Sequence, residues 1–213
     1  MRLDHISYAA SHDQISDVVN RIGSQIGTAF IDGGVHPKFG TRNFTAPLLN
    51  GQYIEVVCPM DHPATDSTPF GRSVKKKVNE GGGWLSWVIS STNLDSIEKE
   101  LGRKAVDGKR KKPDGTELSW KQLGVLSTLE DASQPFYVEW ISQNHPSQDG
   151  IPVAAITKIN IAINNQNILK VPGVESIEKN NDLNICWLEA ENNDQAGIVS
   201  VEFILGSTII SLQ

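Results

Sequence analysis

Leu3-Asp4-His5-Ile6-Ser7-Tyr8-Ala9 decides the fold, because its pattern returns twice and each return leads to a strand that carries a glutamate. Leu3, His5, Ser7 and Ala9 alternate with Asp4, Ile6, Tyr8 and Ala10, the two-residue period of a strand. Ser11-His12-Asp13-Gln14 resembles a capping box. Ile15, Val18, Val19 and Ile22 then give a helical apolar stripe that Gly23 is expected to stop. A short strand at 28–31, a loop at 32–40 and a strand at 41–49 follow, and the hairpin signal Asn50-Gly51 leads into a strand at 52–57. The order is βαβββ.

Trp84-Leu85-Ser86-Trp87-Val88-Ile89-Ser90 aligns without a gap to the run that starts at His5. A second helix is expected through Leu94, Ile97 and Leu101, then strands near 104–107 and 117–125, closing on Phe136-Tyr137-Val138-Glu139-Trp140-Ile141. A shorter third copy opens at Ile156-Thr157-Lys158-Ile159-Asn160-Ile161-Ala162 and ends in Val199-Ser200-Val201-Glu202-Phe203-Ile204-Leu205; Asn164-Asn165-Gln166-Asn167 reads as loop and weakens its helix. The expected fold is α+β, with paired βαβββ modules at 1–60 and 84–150 forming a cupped mixed sheet, a linker at 61–83, and a third, degenerate module at 151–213.

In each closing strand one face is wholly apolar, as with Ile54 and Val56, or Phe136, Val138 and Trp140. If that face meets the module's helix, the glutamate points the other way, and a cleft between modules one and two is lined by His5, Glu55, Trp84 and Glu139. A carboxylate in a largely dry cleft costs several kcal/mol unless it is paired or metal-bound. A histidine with two carboxylates suits Zn, Ni, Mn, Fe or Mg; the competing reading is that the glutamates are solvated or salt-bridged. Lys158 and Glu202 fall where module one has His5 and Glu55, and are expected to pair with each other.

Composition narrows the partners. A formal net charge of −6 over 213 residues argues against general nucleic-acid binding, which needs a cationic footprint. No apolar run approaches the roughly 20 residues of a membrane span. Without a signal-peptide pattern, and with Cys58 and Cys186 in apolar runs, a reducing cytoplasm is expected. Lys75-Lys76-Lys77 reads as a solvated helix or linker face.

The chain resembles the glyoxalase-like domain family of the vicinal oxygen chelate superfamily, over roughly residues 1–150. The residues that carry this are Leu3-Asp4-His5; Gly33-Gly34-Val35-His36-Pro37 with Gly40-Thr41-Arg42-Asn43; Tyr53-Ile54-Glu55; Arg110 through Pro113-Asp114-Gly115 to Trp120; and Pro135-Phe136-Tyr137-Val138-Glu139-Trp140 with His145-Pro146. The resemblance implies a small-molecule ligand in the cleft and either a divalent metal on His5, Glu55 and Glu139 or no metal, the fourth ligand position falling on Trp84. It implies lyase- or isomerase-type chemistry through chelation of substrate oxygens, with Glu55, Glu139 or His36 as base. The alternative is a metal-free binding protein of the bleomycin-resistance type, with Trp84 as a stacking surface. His36 is placed at the pocket mouth. Thr41 and Asn43 are either strand-entry hydrogen bonders or substrate contacts, Arg110 either clamps an anionic substrate or pairs with Asp114 or a distant carboxylate, and Trp120 lies in the core or on the cleft. The third module's open sheet edge is expected to be covered in a homodimer.

Overall fold

The structure is a computed structural model that describes residues 1–164, 171–180, 183–190 and 196–213. The first module is β1 (Arg2–Ala9), α1 (Ile15–Ile26), β2 (Ile31–His36), β3 (Thr41–Pro47) and β4 (Tyr53–Pro59). The second is β5 (Gly83–Ser90), α4 (Asp95–Leu101), β6 (Val106–Lys111), β7 (Glu117–Leu123), a short α5 (Val125–Glu130) and β8 (Phe136–Trp140). Between them stand two helices, α2 (Pro63–Ser67) and α3 (Pro69–Asn79), where a linker was expected. Thr68 caps α3 by accepting the Gly71 N–H, and Pro69 opens it, so this segment carries its own start signal.

Strand order is β1-β4-β3-β2-β6-β7-β8-β5, closed into a barrel. β1 runs parallel to β4 and β5 parallel to β8; the modules join where β1 meets β5 antiparallel and where Val35 pairs with Lys111. Local departures from the sequence reading have local causes. Helix α1 runs past Gly23 to Ile26 and stops at Gly27, whose left-handed backbone donates to the Gly23 carbonyl. The strand expected at 28–31 is β2 at Ile31–His36, so residues 32–36, expected as loop, are strand and His36 sits at its end.

Inside the barrel Val57, Val88, Leu118, Trp120, Phe136 and Val138 form one apolar cluster, and α3 adds Phe70 and Val74 to it. Outside, Leu3, Ile6, Ile54, Val56, Trp84, Trp87 and Ile89 pack with α1, α4 and the third module. That module, β9 (Ala154–Ile163), α6 (Val174–Asn180), β10 (Asn184–Glu189), β11 (Gly197–Leu205) and β12 (Thr208–Leu212), keeps the βαβββ order of elements. Its sheet order is β10-β9-β11-β12, so its opening strand lies parallel to its second strand rather than its last.

The third sheet lays Ile159, Ile161, Val201 and Phe203 on the barrel exterior, so its apolar face is covered within the chain. Lys158 and Glu202 pair on its other face at 3.3 Å. From Asn165 onward, the stretch read as loop lies outside the described residues. Cys58 and Cys186 are free thiols. Among the described residues no helix is long and apolar enough to cross a membrane.

Candidate functional site

The barrel encloses a cavity of about 30 Å³, room for roughly two waters. β1 contributes His5, β3 Asn43, β4 Tyr53 and Glu55, the end of β2 His36 and β6 Arg110; β7 and β8 supply Trp120, Gln122, Phe136, Val138 and Trp140. Phe39 and Phe70 close it, their ring centroids 5.8 Å apart.

Adjacent residues of a strand normally face opposite ways. Here the β1–β5 register shifts between Leu3 and His5, a bulge that brings the Asp4 and His5 side chains together. Asp4 Oδ1 lies 2.8 Å from His5 Nδ1. Asp4 also accepts from Trp140 Nε1 at 3.2 Å, lies 3.2 Å from His145 Nε2 and 3.3 Å from Arg2 Nη2, and is fully buried. Burial opposes its ionisation, yet the His145 and His5 hydrogen bonds hold its carboxyl well below the usual carboxylate range. An ionised carboxylate only accepts, so His5 carries a proton on Nδ1 and turns Nε2 away from Asp4. His5 is further fixed by stacking on Tyr53, centroid to centroid 4.3 Å. The same logic orients His145: Ser147 N–H donates to its Nδ1, which leaves the proton on Nε2, facing Asp4.

Glu55 is held from both sides. Ser7 Oγ donates to Oε2 at 2.8 Å and Asn43 Nδ2 to Oε1 at 2.6 Å. Burial pushes its carboxyl up, but the imidazoles of His36 and His5 and these two hydrogen bonds more than offset that, so it is held low. Asn43 Oδ1 accepts from Arg110 Nη1 at 2.6 Å, and the same nitrogen donates to the Gly33 carbonyl at 2.8 Å. An amide set between an acceptor-only carboxylate and a donor-only guanidinium has one satisfactory orientation, so the relay Arg110–Asn43–Glu55 is fixed. Gly33 is required there, because a Cβ would run into Arg110 Nη1 and Asn43 Oδ1. Two more hydroxyls, Thr45 across the ladder from Glu55 and Ser86 across from Ser7, are buried without a partner, so the polar floor has unused hydrogen-bonding capacity.

His36 Nδ1 meets Thr41 Oγ1 at 3.0 Å, and its ring is edged by Phe39, Phe70 and Trp120. Burial, reinforced by Arg110 and His5 and only partly countered by Glu55, pulls it down to about 4, so it is uncharged at neutral pH.

The expected site is therefore assembled except on one wall. His5, Glu55, His36, Asn43, Arg110 and Trp120 meet at the cavity, and Thr41 stands behind His36. Two expectations are corrected. Glu139 faces outward, 3.6 Å from Lys121 Nζ and accepting from the Leu94 N–H at the start of α4, because in β8 the apolar residues take the inner face. Trp84 lies on the barrel exterior, donating to the Leu212 carbonyl of the third sheet; the residue paired with His5 across the seam is Val88. Among the described residues Arg110 pairs with neither Asp114 nor any other carboxylate, but with a backbone carbonyl and an amide.

The donor set does not fit the implied metal. With Glu139 turned away, His5 and Glu55 remain of the expected ligands. Among the described residues no three His, Cys, Asp or Glu side chains converge to hold an ion, His5, His36 and Glu55 included. The sequence reading missed Asp4, His145, Ser7, Phe39 and Phe70; for Asp4 the one available signal was its place beside His5.

The glyoxalase-like domain family matches residues 3–170. No curated protein matches by sequence. Among solved structures, a hypothetical protein from Staphylococcus aureus is 16% identical, with a TM-score of 0.61, covering 100% of this chain and 85% of that one. Methylmalonyl-CoA epimerase from Mycobacterium tuberculosis is 12% identical (TM-score 0.43; 65% of this chain, 86% of that one). A Streptomyces coelicolor methylmalonyl-CoA epimerase in complex with 2-nitronate-propionyl-CoA is 16% identical (TM-score 0.42; 68% and 99%). By the extent of the family match and the paired βαβββ modules that bear it out, the chain belongs to the glyoxalase-like domain family.

Proposed function

We propose that the chain is an enzyme that moves a proton on a small organic molecule held in the barrel cavity, with His5 as the base. The Asp4–His5 pair carries this reading: a fully buried carboxylate 2.8 Å from Nδ1 orients a cavity-lining imidazole whose Nε2 has no hydrogen-bond partner among the described residues. In the uncharged ring the lone pair then sits on Nε2, the arrangement a general base needs.

Nε2 takes a proton from the carbon next to a carbonyl, and the C–H electron pair moves onto the carbonyl oxygen as an enolate. The imidazolium so formed lies between two carboxylates, Asp4 on Nδ1 and Glu55 in the cavity. Arg110 offers the enolate oxygen a largely buried cation, where such contacts are stronger than in water. Return of the proton from His5 to a neighbouring carbon on the same face gives an isomer, and return to the original carbon after exchange with solvent gives a labelled substrate. Glu55, with both oxygens already accepting, serves as electrostatic partner rather than as base. No step runs through a metal, because the ligands present do not make one a site. The rival reading, metal-free sequestration of a small aromatic or anionic compound, loses its stacking residue, since Trp84 is on the exterior.

The test is deuterium exchange. Incubating the protein in D2O with a panel of small carbonyl compounds should remove the α-proton signal of at least one, and His5→Gln should abolish the effect at an unchanged melting temperature. Exchange at the uncatalysed rate for the whole panel, or undiminished exchange in His5→Gln, would overturn the proposal.

A further inference from the structure

Arg110 is only 3% exposed, and it spends one nitrogen on the protein. Nη1 donates to the Gly33 carbonyl and to Asn43 Oδ1, which uses both its N–H bonds. Nε and Nη2 have no partner among the described residues, and neither is one of the sealed, unpartnered polar atoms, so this edge keeps contact with open space. Glu55 does not neutralise the guanidinium directly, because Asn43 stands between them. A buried cation whose outer edge is unpaired is costly, and the Nε–Nη2 edge matches the two oxygens of a carboxylate.

We propose that the Nε–Nη2 edge of Arg110 is a carboxylate-binding fork, and that the cavity takes a short-chain monocarboxylic acid oxygenated at C2, a 2-oxo or 2-hydroxy acid. The charge count selects one carboxylate: a second would face Glu55 without a cation. Size selects a short chain, since a cavity of about 30 Å³ has room for roughly two waters and even a three-carbon acid requires Phe39 and Phe70 to give way. The C2 oxygen finds polar company in the two histidines, and a methyl or ethyl tail finds the rings of Trp120 and Phe136. The position of the reactive carbon rests on the proton-transfer reading; recognition of the carboxylate does not, and is measured as binding alone.

The indole N–H signals of Trp120 and Trp140 report the cavity by NMR. Titration of the full chain with pyruvate or lactate should shift them saturably in the millimolar range, and hydroxyacetone, uncharged and of similar size, should bind at least about tenfold more weakly. Arg110→Lys keeps the charge and loses the fork, and should weaken pyruvate about tenfold or more at an unchanged melting temperature. If that variant does not fold, the comparison of charged with neutral ligand on the native protein decides. No saturable shift with either acid, hydroxyacetone binding as well as pyruvate, or undiminished binding in folded Arg110→Lys would overturn the proposal. Pyruvate binding without deuterium exchange supports the fork and removes the base, so the two proposals fail separately.

Discussion

His36 carries the most exposed pH signature of the cavity. In the unfolded chain it takes a proton near 6.5, whereas burial in the folded barrel delays this to about 4. Between those values the unfolded state binds more protons, so stability falls as pH drops, by about 1.4 kcal/mol per pH unit and about 3 kcal/mol in all. Denaturant midpoints measured at pH 7, 5.5 and 4.5 should decline accordingly, and His36→Gln should flatten that decline even if it lowers stability at every pH. An unchanged slope in the variant would mean that another group titrates there. Asp4 acts in a separate window: its carboxyl is held low in the folded state, so its contribution is present above the ordinary aspartate value near 3.8 and is lost as pH falls below it. Two residues one position apart in β1 thus have different standing in the sequence. His5 was legible as a site residue because a histidine on a repeated strand is chemically conspicuous. Asp4 was not, because simple alternation sends it to the other face, and only the bulge between Leu3 and His5 reverses that.

At the scale of elements, alternation showed that each strand has two faces and left open which of them looks into the barrel. In β4 the inner face carries Glu55 between Tyr53 and Val57, with Ile54 and Val56 against the outer core; in β8 the inner face is Phe136 and Val138, and Glu139 is outside. One rule of parity applied to both modules therefore placed one glutamate correctly and the other on the wrong wall. The two should behave differently on substitution. Glu139→Gln breaks a half-exposed pair with Lys121, costs about 1 kcal/mol or less, and leaves the Trp120 and Trp140 indole signals where they are. Glycines in β2 are less forgiving. Gly33→Ala drives a methyl into Arg110 Nη1 and Asn43 Oδ1, and rigid overpacking of this kind costs about 1–3 kcal/mol. It should lower the melting temperature and move both indole signals; a silent Gly33→Ala would show that the Arg110–Asn43 relay is not held as described. The helices at 61–83 were harder to read for another reason: the segment is polar overall, and the short stripe of Phe70, Val74 and Val78 is interrupted by Lys75-Lys76-Lys77.

At the scale of the molecule, the third module matters less as a repeat than as a cover. Its Phe203 is fully buried in the same outer core as Trp84, Trp87 and Ile89 of β5, Trp187 meets Trp87 edge to face at 6.1 Å, and the Leu212 carbonyl takes the Trp84 indole N–H. The barrel exterior at the β1–β5 seam is thus finished by residues a hundred or more positions away from those they cover. β1 is also the strand that carries Asp4 and His5, so the cover and the cavity are the two sides of one wall. A cavity left by Phe203→Ala should cost about 3–5 kcal/mol. Because the core is continuous, that loss should appear in the barrel itself. Thermal unfolding should stay a single transition, and the melting temperature read from the Trp120 and Trp140 indole signals should fall in step with that read from far-ultraviolet circular dichroism. If the indole signals persist to the wild-type temperature while part of the sheet signal is lost early, the third module folds independently, and its contact with the seam does not support the site.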